Sequence, residues 1–306
     1  MDSRLRYLSG LRYFEVAARL KSYSKAAEEL FVSQAAVSQK IRQLEEALGC
    51  KLFLRQGREM LLTEKGSTLY KQISHGFEHI ISGLNQISSE PIDGVLTVSV
   101  PPSFAARWLM PRLWKFSMHF PNIPIKIMTS CADLALRHSG IDVAIWQGEE
   151  MGNSEGLLKE LLLQEAVYPY CSPLLAEHLA FTEAAQLLQC WLIHFDSNDF
   201  PWETWFELAG IEMDKSKVQW MEVGTFDLAM NAVIAGHGVC LASESLASDY
   251  VERGMLVRPF DIGITPGLKF WLFSDPDSPR RQRIATFSAW LQGEIAESEH
   301  EASLGT

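Results

Sequence analysis

Long hydrophobic runs are missing from this 306-residue chain. The longest uncharged apolar stretch, residues 228–243, is shorter than the roughly 20 residues of a membrane-spanning helix and contains Asn231, His237 and two glycines. The opening residues, Met1 to Tyr7, lack the apolar core of a secretion signal, so a cytoplasmic protein is expected. Cysteine is scarce. The five present, Cys50, Cys131, Cys171, Cys190 and Cys240, are scattered, odd in number and form no C-x-x-C pair, which reads as reduced, mostly buried thiols. Basic charge is also in deficit. There are 27 Lys and Arg against 38 Asp and Glu, a net charge of −11, which on its face argues against nucleic acid as a partner. Catalytic signatures are lacking as well, with no G-x-S-x-G elbow and no P-loop. Gly236-His237-Gly238 begins like a dinucleotide fingerprint, but the third glycine is missing and a helix precedes it. His75 and His79 stand at i, i+4, but the intervening Glu78 is misplaced for a zinc protease and no third ligand is evident. The chain is therefore read as a non-enzyme without cofactor or metal.

What is present is enough to fold. Hydrophobic residues make up 47% and charged residues 21%, as in an ordinary globular protein, and the length suits two or three domains. The acidic charge is unevenly placed. Residues 1–66 carry 12 Lys and Arg against 8 Asp and Glu, a net of +4, leaving 15 against 30 and a net of −15 for the rest. A mildly basic head on a strongly acidic body points to nucleic-acid contact through one end only.

The head reads as helical. Leu8, Leu11, Phe14, Val16 and Leu20 recur at helical spacing. Ser24 is placed as the N-cap of a second helix, Lys25–Leu30. Ser33 caps a third, from Gln34 to Leu48, closed by Gly49. Ala26, Ala27 and Leu30 are set to pack on Val37, Ile41 and Leu44, giving a helix-turn-helix. Two short strands, Lys51–Phe53 and Met60–Leu62, then flank a basic turn, residues 55–58, as a wing. Thr63 caps a long helix whose apolar positions Leu69, Ile73, Phe77, Ile80, Leu84 and Ile87 are three and four apart. A stripe of that length after a complete small domain calls for a partner subunit, giving a dimerisation helix. From about Pro91 short apolar runs alternate with helices. This reads as an α/β region with largely parallel sheets and two subdomains.

The ordered residues Leu11-Arg12-Tyr13-Phe14-Glu15-Val16-Ala17, Ser22 to Leu30, Ser33 to Ile41, Leu44-Glu45, Leu48-Gly49, Leu52-Phe53 and Leu62 to Gly66 resemble the LysR-type transcriptional regulators. Val98 to Leu109, Ile141 to Ile145, Tyr170-Cys171-Ser172-Pro173 and Gly236-His237-Gly238-Val239 extend the resemblance, and look like the glycine-cleavage-activator subgroup. The resemblance implies a bacterial, sequence-specific DNA-binding regulator. Its parts would be a winged helix-turn-helix over residues 1–63, a linker helix over 64–90, and a two-lobed effector domain over 91–306 like the periplasmic binding proteins. Lobe one would span about 91–162 and 267–306, and lobe two about 163–266, the chain crossing twice between them. A homodimer, or a tetramer spanning two sites, is also implied.

On this reading the third helix enters the major groove by its N-terminus. Ser33, Gln34 and Ala35 lie nearest the bases, where a glutamine suits adenine and an alanine methyl suits thymine. Ser38 and Gln39 follow one turn on, and Ser24 is counted with the DNA-contacting residues. Lys40, Arg42, Arg55 and Arg58 suit phosphates. A two-fold dimer would read an inverted repeat in double-stranded DNA. In the body, a small-molecule effector is expected where strand ends meet helix starts: Pro101, Ser103, Phe104, Ser130, Trp146, His194, Phe195, Thr225 and Phe226. The alternatives are a constitutive regulator that needs no ligand, and a solute-binding sensor.

Overall fold

The computed structural model describes every residue except 1, 57–58, 88–89, 130–135, 137–139, 149–153, 196–199 and 305–306. The chain divides into two compact units, Met1–Ser88 and Ser89–Thr306.

In the first unit, α1 (Leu8–Leu20) buries Phe14, Val16, Ala17 and Ala18. The next helix, α2 (Tyr23–Glu29), is capped by Ser22 rather than Ser24. Ser22 holds the extended backbone a cap requires, and its hydroxyl accepts the Lys25 N–H. Ser24 thus falls inside the first turn. Helix α3 (Gln34–Leu48) starts where expected, with the Ser33 hydroxyl accepting the Ala36 N–H, and ends at left-handed Gly49. Ala26 and Ala27 let α2 lie close over Val37 and Ile41. Leu44, expected in the same group, packs instead with Phe14, Ala18 and Leu52.

The wing strands β1 (Phe53–Gln56) and β2 (Glu59–Leu62) run longer than the sequence suggests. Gln56 pairs with Glu59, so Arg55 and Gln56 belong to the ladder and not to the turn. Thr63 then caps α4 (Glu64–Ile87), its hydroxyl accepting the Gly66 N–H.

The second unit is built on one eight-stranded mixed sheet with helices. Its first strands are β3 (Leu96–Ser99), β4 (Ile125–Met128) and β5 (Val143–Gln147). Between β3 and β4 runs a helical stretch, α5 (Pro102–Phe104), a π turn (Ala105–Leu109) and α6 (Met110–His119). Next come β6 (Leu158–Tyr170), α7 (Pro173–Leu179), β7 (Trp191–Phe195), α8 (Trp202–Leu208) and β8 (Gln219–Val223). The chain closes with α9 (Phe226–Ile234), β9 (Val239–Ser243), α10 (Glu244–Glu252), β10 (Ile264–Ser274) and α11 (Arg281–Leu304).

The strand order is β4-β3-β5-β10-β6-β9-β7-β8. The outer trios β4-β3-β5 and β9-β7-β8 are parallel, while β6 and β10 run antiparallel through the centre. The expectation of largely parallel sheets therefore holds for each outer trio and fails at the middle. The chain passes from one trio to the other along β6 and returns along β10, which is the double crossing of a two-lobed binding fold.

Candidate nucleic-acid interface and effector cleft

The face of α3 opposite its buried Val37, Ile41 and Leu44 carries the expected polar array. Ser33, Gln34, Ala35, Gln39, Lys40 and Arg42 are exposed and Ser38 is half-buried. Ser24, displaced from its capping role, stands beside this array. Its hydroxyl donates to Gln34 Oε1 at 3.2 Å. The side chain of Arg55 and all of Arg58 lie outside the described residues.

Glu45, on the back of α3, fixes that helix to the wing. Its carboxylate accepts the Leu52 N–H at 2.8 Å and the Lys51 ammonium at 2.7 Å. Burial alone would raise its pKa, but Lys51 and the N–H groups of Leu52 and Phe53 together hold it below the usual carboxylate range.

The stripe on α4 divides in two. Leu69 and Ile73 pack against the cluster of Phe14, Leu44 and Leu52, so they serve the chain's own core rather than a partner. Phe77 is half-buried. Ile80, Leu84 and Ile87 are 50%, 56% and 82% exposed. The expected partner-facing seam therefore begins beyond Ile73. His75 and His79 stand exposed on the same helix.

In the second unit a tight cavity lies where the two trios of strands meet. Ser103 and Gln147 come from one side, and Phe195, Phe200, Phe226 and Ser243 from the other; Val167 and Leu268 of the crossing strands close the base. Its open core is about 10 Å³, room for little more than one water. The Phe195 and Phe226 rings meet edge to face at 5.5 Å.

Of the nine expected effector residues, Ser103, Phe195 and Phe226 line this cavity. Phe104 is fully buried between Trp108 and Phe270 and belongs to the core. Pro101 is buried as the residue preceding α5. Thr225 is exposed and caps α9, its hydroxyl accepting the Leu228 N–H. Two assignments fall on the wrong strand face. Trp146 packs with Leu136, Ile141 and Phe273, so its neighbour Gln147 is the one that reaches the cavity. His194 likewise alternates with Phe195. It is set among Glu203, Glu222 and Lys215, and burial presses its pKa below the usual value. Ser130 lies outside the described residues. Gln147, Phe200 and Ser243 had no motif to mark them. For Gln147 the period-two rule applied to β5 was the available signal.

The glycines of Gly236-His237-Gly238 serve the fold. Gly236 turns the chain out of α9 at φ +82°, and a Cβ on Gly238 would sit 2.1 Å from the Trp191 carbonyl oxygen.

A helix-turn-helix with an exposed recognition face, joined in one chain to a two-lobed domain with an inter-lobe cleft, defines a ligand-responsive DNA-binding regulator. Comparison with known proteins agrees: residues 8–67 match the bacterial regulatory helix-turn-helix proteins of the LysR family, and residues 89–296 match the LysR substrate binding domain. The chain belongs to the LysR family of transcriptional regulators. It is 35% identical over 303 residues to the glycine cleavage system transcriptional activator of Escherichia coli K12, covering 98% of each chain. It is 36% identical over 289 residues to the transcriptional activator AmpR of Providencia stuartii, covering 94% of this chain and 96% of that one. The effector domain of AmpR from Pseudomonas aeruginosa superposes with a TM-score of 0.59 at 25% identity, over 68% of this chain and 98% of that one. ArgP of Mycobacterium tuberculosis gives 0.63 at 20% identity, over 94% and 96%, and speaks for the fold. No helix among the described residues is long and apolar enough to cross a membrane.

Proposed function

We propose that this regulator works as a homodimer or tetramer in the bacterial cytoplasm and catalyses no reaction. Ser33, Gln34, Ala35, Ser38 and Gln39 read base edges in the major groove, with Lys40 and Arg42 on phosphates and Arg55 and Arg58 doing the same from the wing. Residues 1–63 form the DNA-binding head, 64–90 the linker and 91–306 the effector domain. Within the last, lobe one takes 91–162 and 267–306, and lobe two takes 163–266. Ile80, Leu84 and Ile87 form the seam with a second copy, so the operator is an inverted repeat. The effector sits among Ser103, Gln147, Phe195 and Phe226, and its binding resets the spacing of the lobes.

The observation that carries this reading is the α3 face. Seven polar or small residues lie together there on a helix whose opposite side is fully committed to the core. Selection of bound sequences from a random duplex library tests it. An inverted repeat is expected, with Gln34→Ala relaxing the preference at fixed base positions. Recovery of sites without two-fold symmetry, or an unchanged preference in the variant, refutes it.

A further inference from the structure

One side chain of the head gains nothing from the fold that carries it. Phe31 is 95% exposed, more than any other large hydrophobic side chain among the described residues. Its backbone is left-handed, at φ +55°. The turn between α2 and α3 imposes that conformation. The Phe31 N–H donates to the Glu28 carbonyl at 3.2 Å and the Val32 N–H to the Ala27 carbonyl at 3.0 Å, the paired bonds that close a helix through one left-handed residue. Val32 completes the motif by packing on the core cluster that holds Ala27. Glycine suits the left-handed position, because a side chain there crowds the backbone, and the chain uses Gly49 at φ +67° to close α3. Lys21 and Ala180 share the conformation, but neither sets an aromatic ring in water. In the free protein Phe31 therefore carries backbone strain that no packing of its ring offsets. Strain of that kind points to a role outside the free chain.

Its place says which role. Phe31 stands two residues before Ser33, the N-cap of α3, and Ser33, Gln34 and Ala35 are all exposed. The ring is thus continuous with the end of α3 that is read as entering the major groove first. Residues of the first helical turn lie over the floor of the groove, so the turn ahead of them lies against its wall, where the sugar–phosphate backbone runs. A phenyl ring offers nothing to a phosphate, but the carbons of deoxyribose present apolar surface that it can cover.

We infer that Phe31 is an apolar DNA contact, its ring covering deoxyribose at the wall of the major groove and adding affinity without reading sequence. The inference rests on the reading of α3 as the recognition helix. Anisotropy titration of the full chain, on the duplex recovered by selection and on a scrambled duplex, over a series of salt concentrations, tests it. Phe31→Gly removes the ring and suits the left-handed backbone, so the variant should melt no lower than wild type. It should bind both duplexes roughly three- to tenfold more weakly per head, as for an aromatic ring partly removed from water. The slope of log affinity against log salt should stay the same, because the ring neutralises no phosphate. Phe31→Tyr keeps the ring and should bind within about twofold of wild type. Gln34→Ala is the control for α3 and should relax the sequence preference. Phe31→Gly binding as tightly as wild type, while Gln34→Ala relaxes the preference, overturns the inference and leaves α3 as the recognition helix. A loss confined to the selected duplex shows Phe31 touching a base and overturns the sugar contact. A changed salt slope or a lower melting temperature in Phe31→Gly, or a loss in Phe31→Tyr as large as that in Phe31→Gly, overturns it as well. If Gln34→Ala leaves the preference unchanged, the reading of α3 falls and this inference with it.

Discussion

The contact between Ser24 and Gln34 makes a sharp prediction about how the head reads DNA. Gln34 opens α3, and its Oε1 accepts the Ser24 hydroxyl at 3.2 Å on an exposed surface. A neutral hydrogen bond contributes about 0.5–1.5 kcal/mol net, and an exposed one lies toward the lower end. Ser24→Ala should therefore cost about 0.5–1 kcal/mol of specific binding per head, roughly a two- to fivefold loss. Gln34→Ala removes the proposed base contact itself and should cost about 1–3 kcal/mol per head. If Ser24 acts only by holding the glutamine, the double variant costs no more than Gln34→Ala alone. Fluorescence anisotropy on the selected operator and on a scrambled duplex, at one fixed salt concentration, measures all four corners of the cycle. Strict additivity would show Ser24 touching DNA by itself. An equal loss on scrambled DNA would show that neither residue reads sequence. Either result refutes the reasoning.

Other outcomes follow from the same contacts. Glu45→Ala orphans the buried Leu52 N–H and should destabilise the first unit by about 1–3 kcal/mol, read as a lower melting transition of the full chain by calorimetry. Glu45 has a folded pKa below its ordinary value near 4.5, so its contribution is complete above that value and is lost as pH falls through the folded one. Glu45→Gln should flatten the acid-side loss of stability, and an unchanged acid slope would refute the role of the charge. Gly238→Ala drives a Cβ into the Trp191 carbonyl, fixed in the ladder of β7, and should cost about 1–3 kcal/mol in the second unit. A melting temperature within a degree of wild type would show that the turn can yield. Leu84→Glu changes a residue that is 56% exposed, so the chain should stay folded while sedimentation moves it toward the monomer and operator affinity falls with the lost effective concentration. An unchanged sedimenting mass would place the seam elsewhere.

The sequence was most legible where a segment keeps one environment along its length. Helix α3 buries one stripe from end to end, and its bounds, cap and exposed array all follow from spacing and from Ser33 and Gly49. Strand β6 is the opposite case. Over its 13 residues the burial alternates poorly, because the strand pairs with β10 along most of its length and with β9 only at its end. No single face stays buried, so no period-two pattern survives, and residues 158–170 show no strand signal. Its partner β10 was legible only as Phe270–Phe273, the end that pairs with β5. The same cause explains why two of the expected residues face away from the cavity. Which of two adjacent residues faces the cavity is decided by strand parity, and parity is fixed by the central antiparallel pair. Without the register of β6 the sequence does not separate Trp146 from Gln147 or His194 from Phe195, and only the second of each pair lines the cavity. The crossing strands thus hid the parity of the cavity wall, because a residue lines it through its place on a strand and not through any local motif.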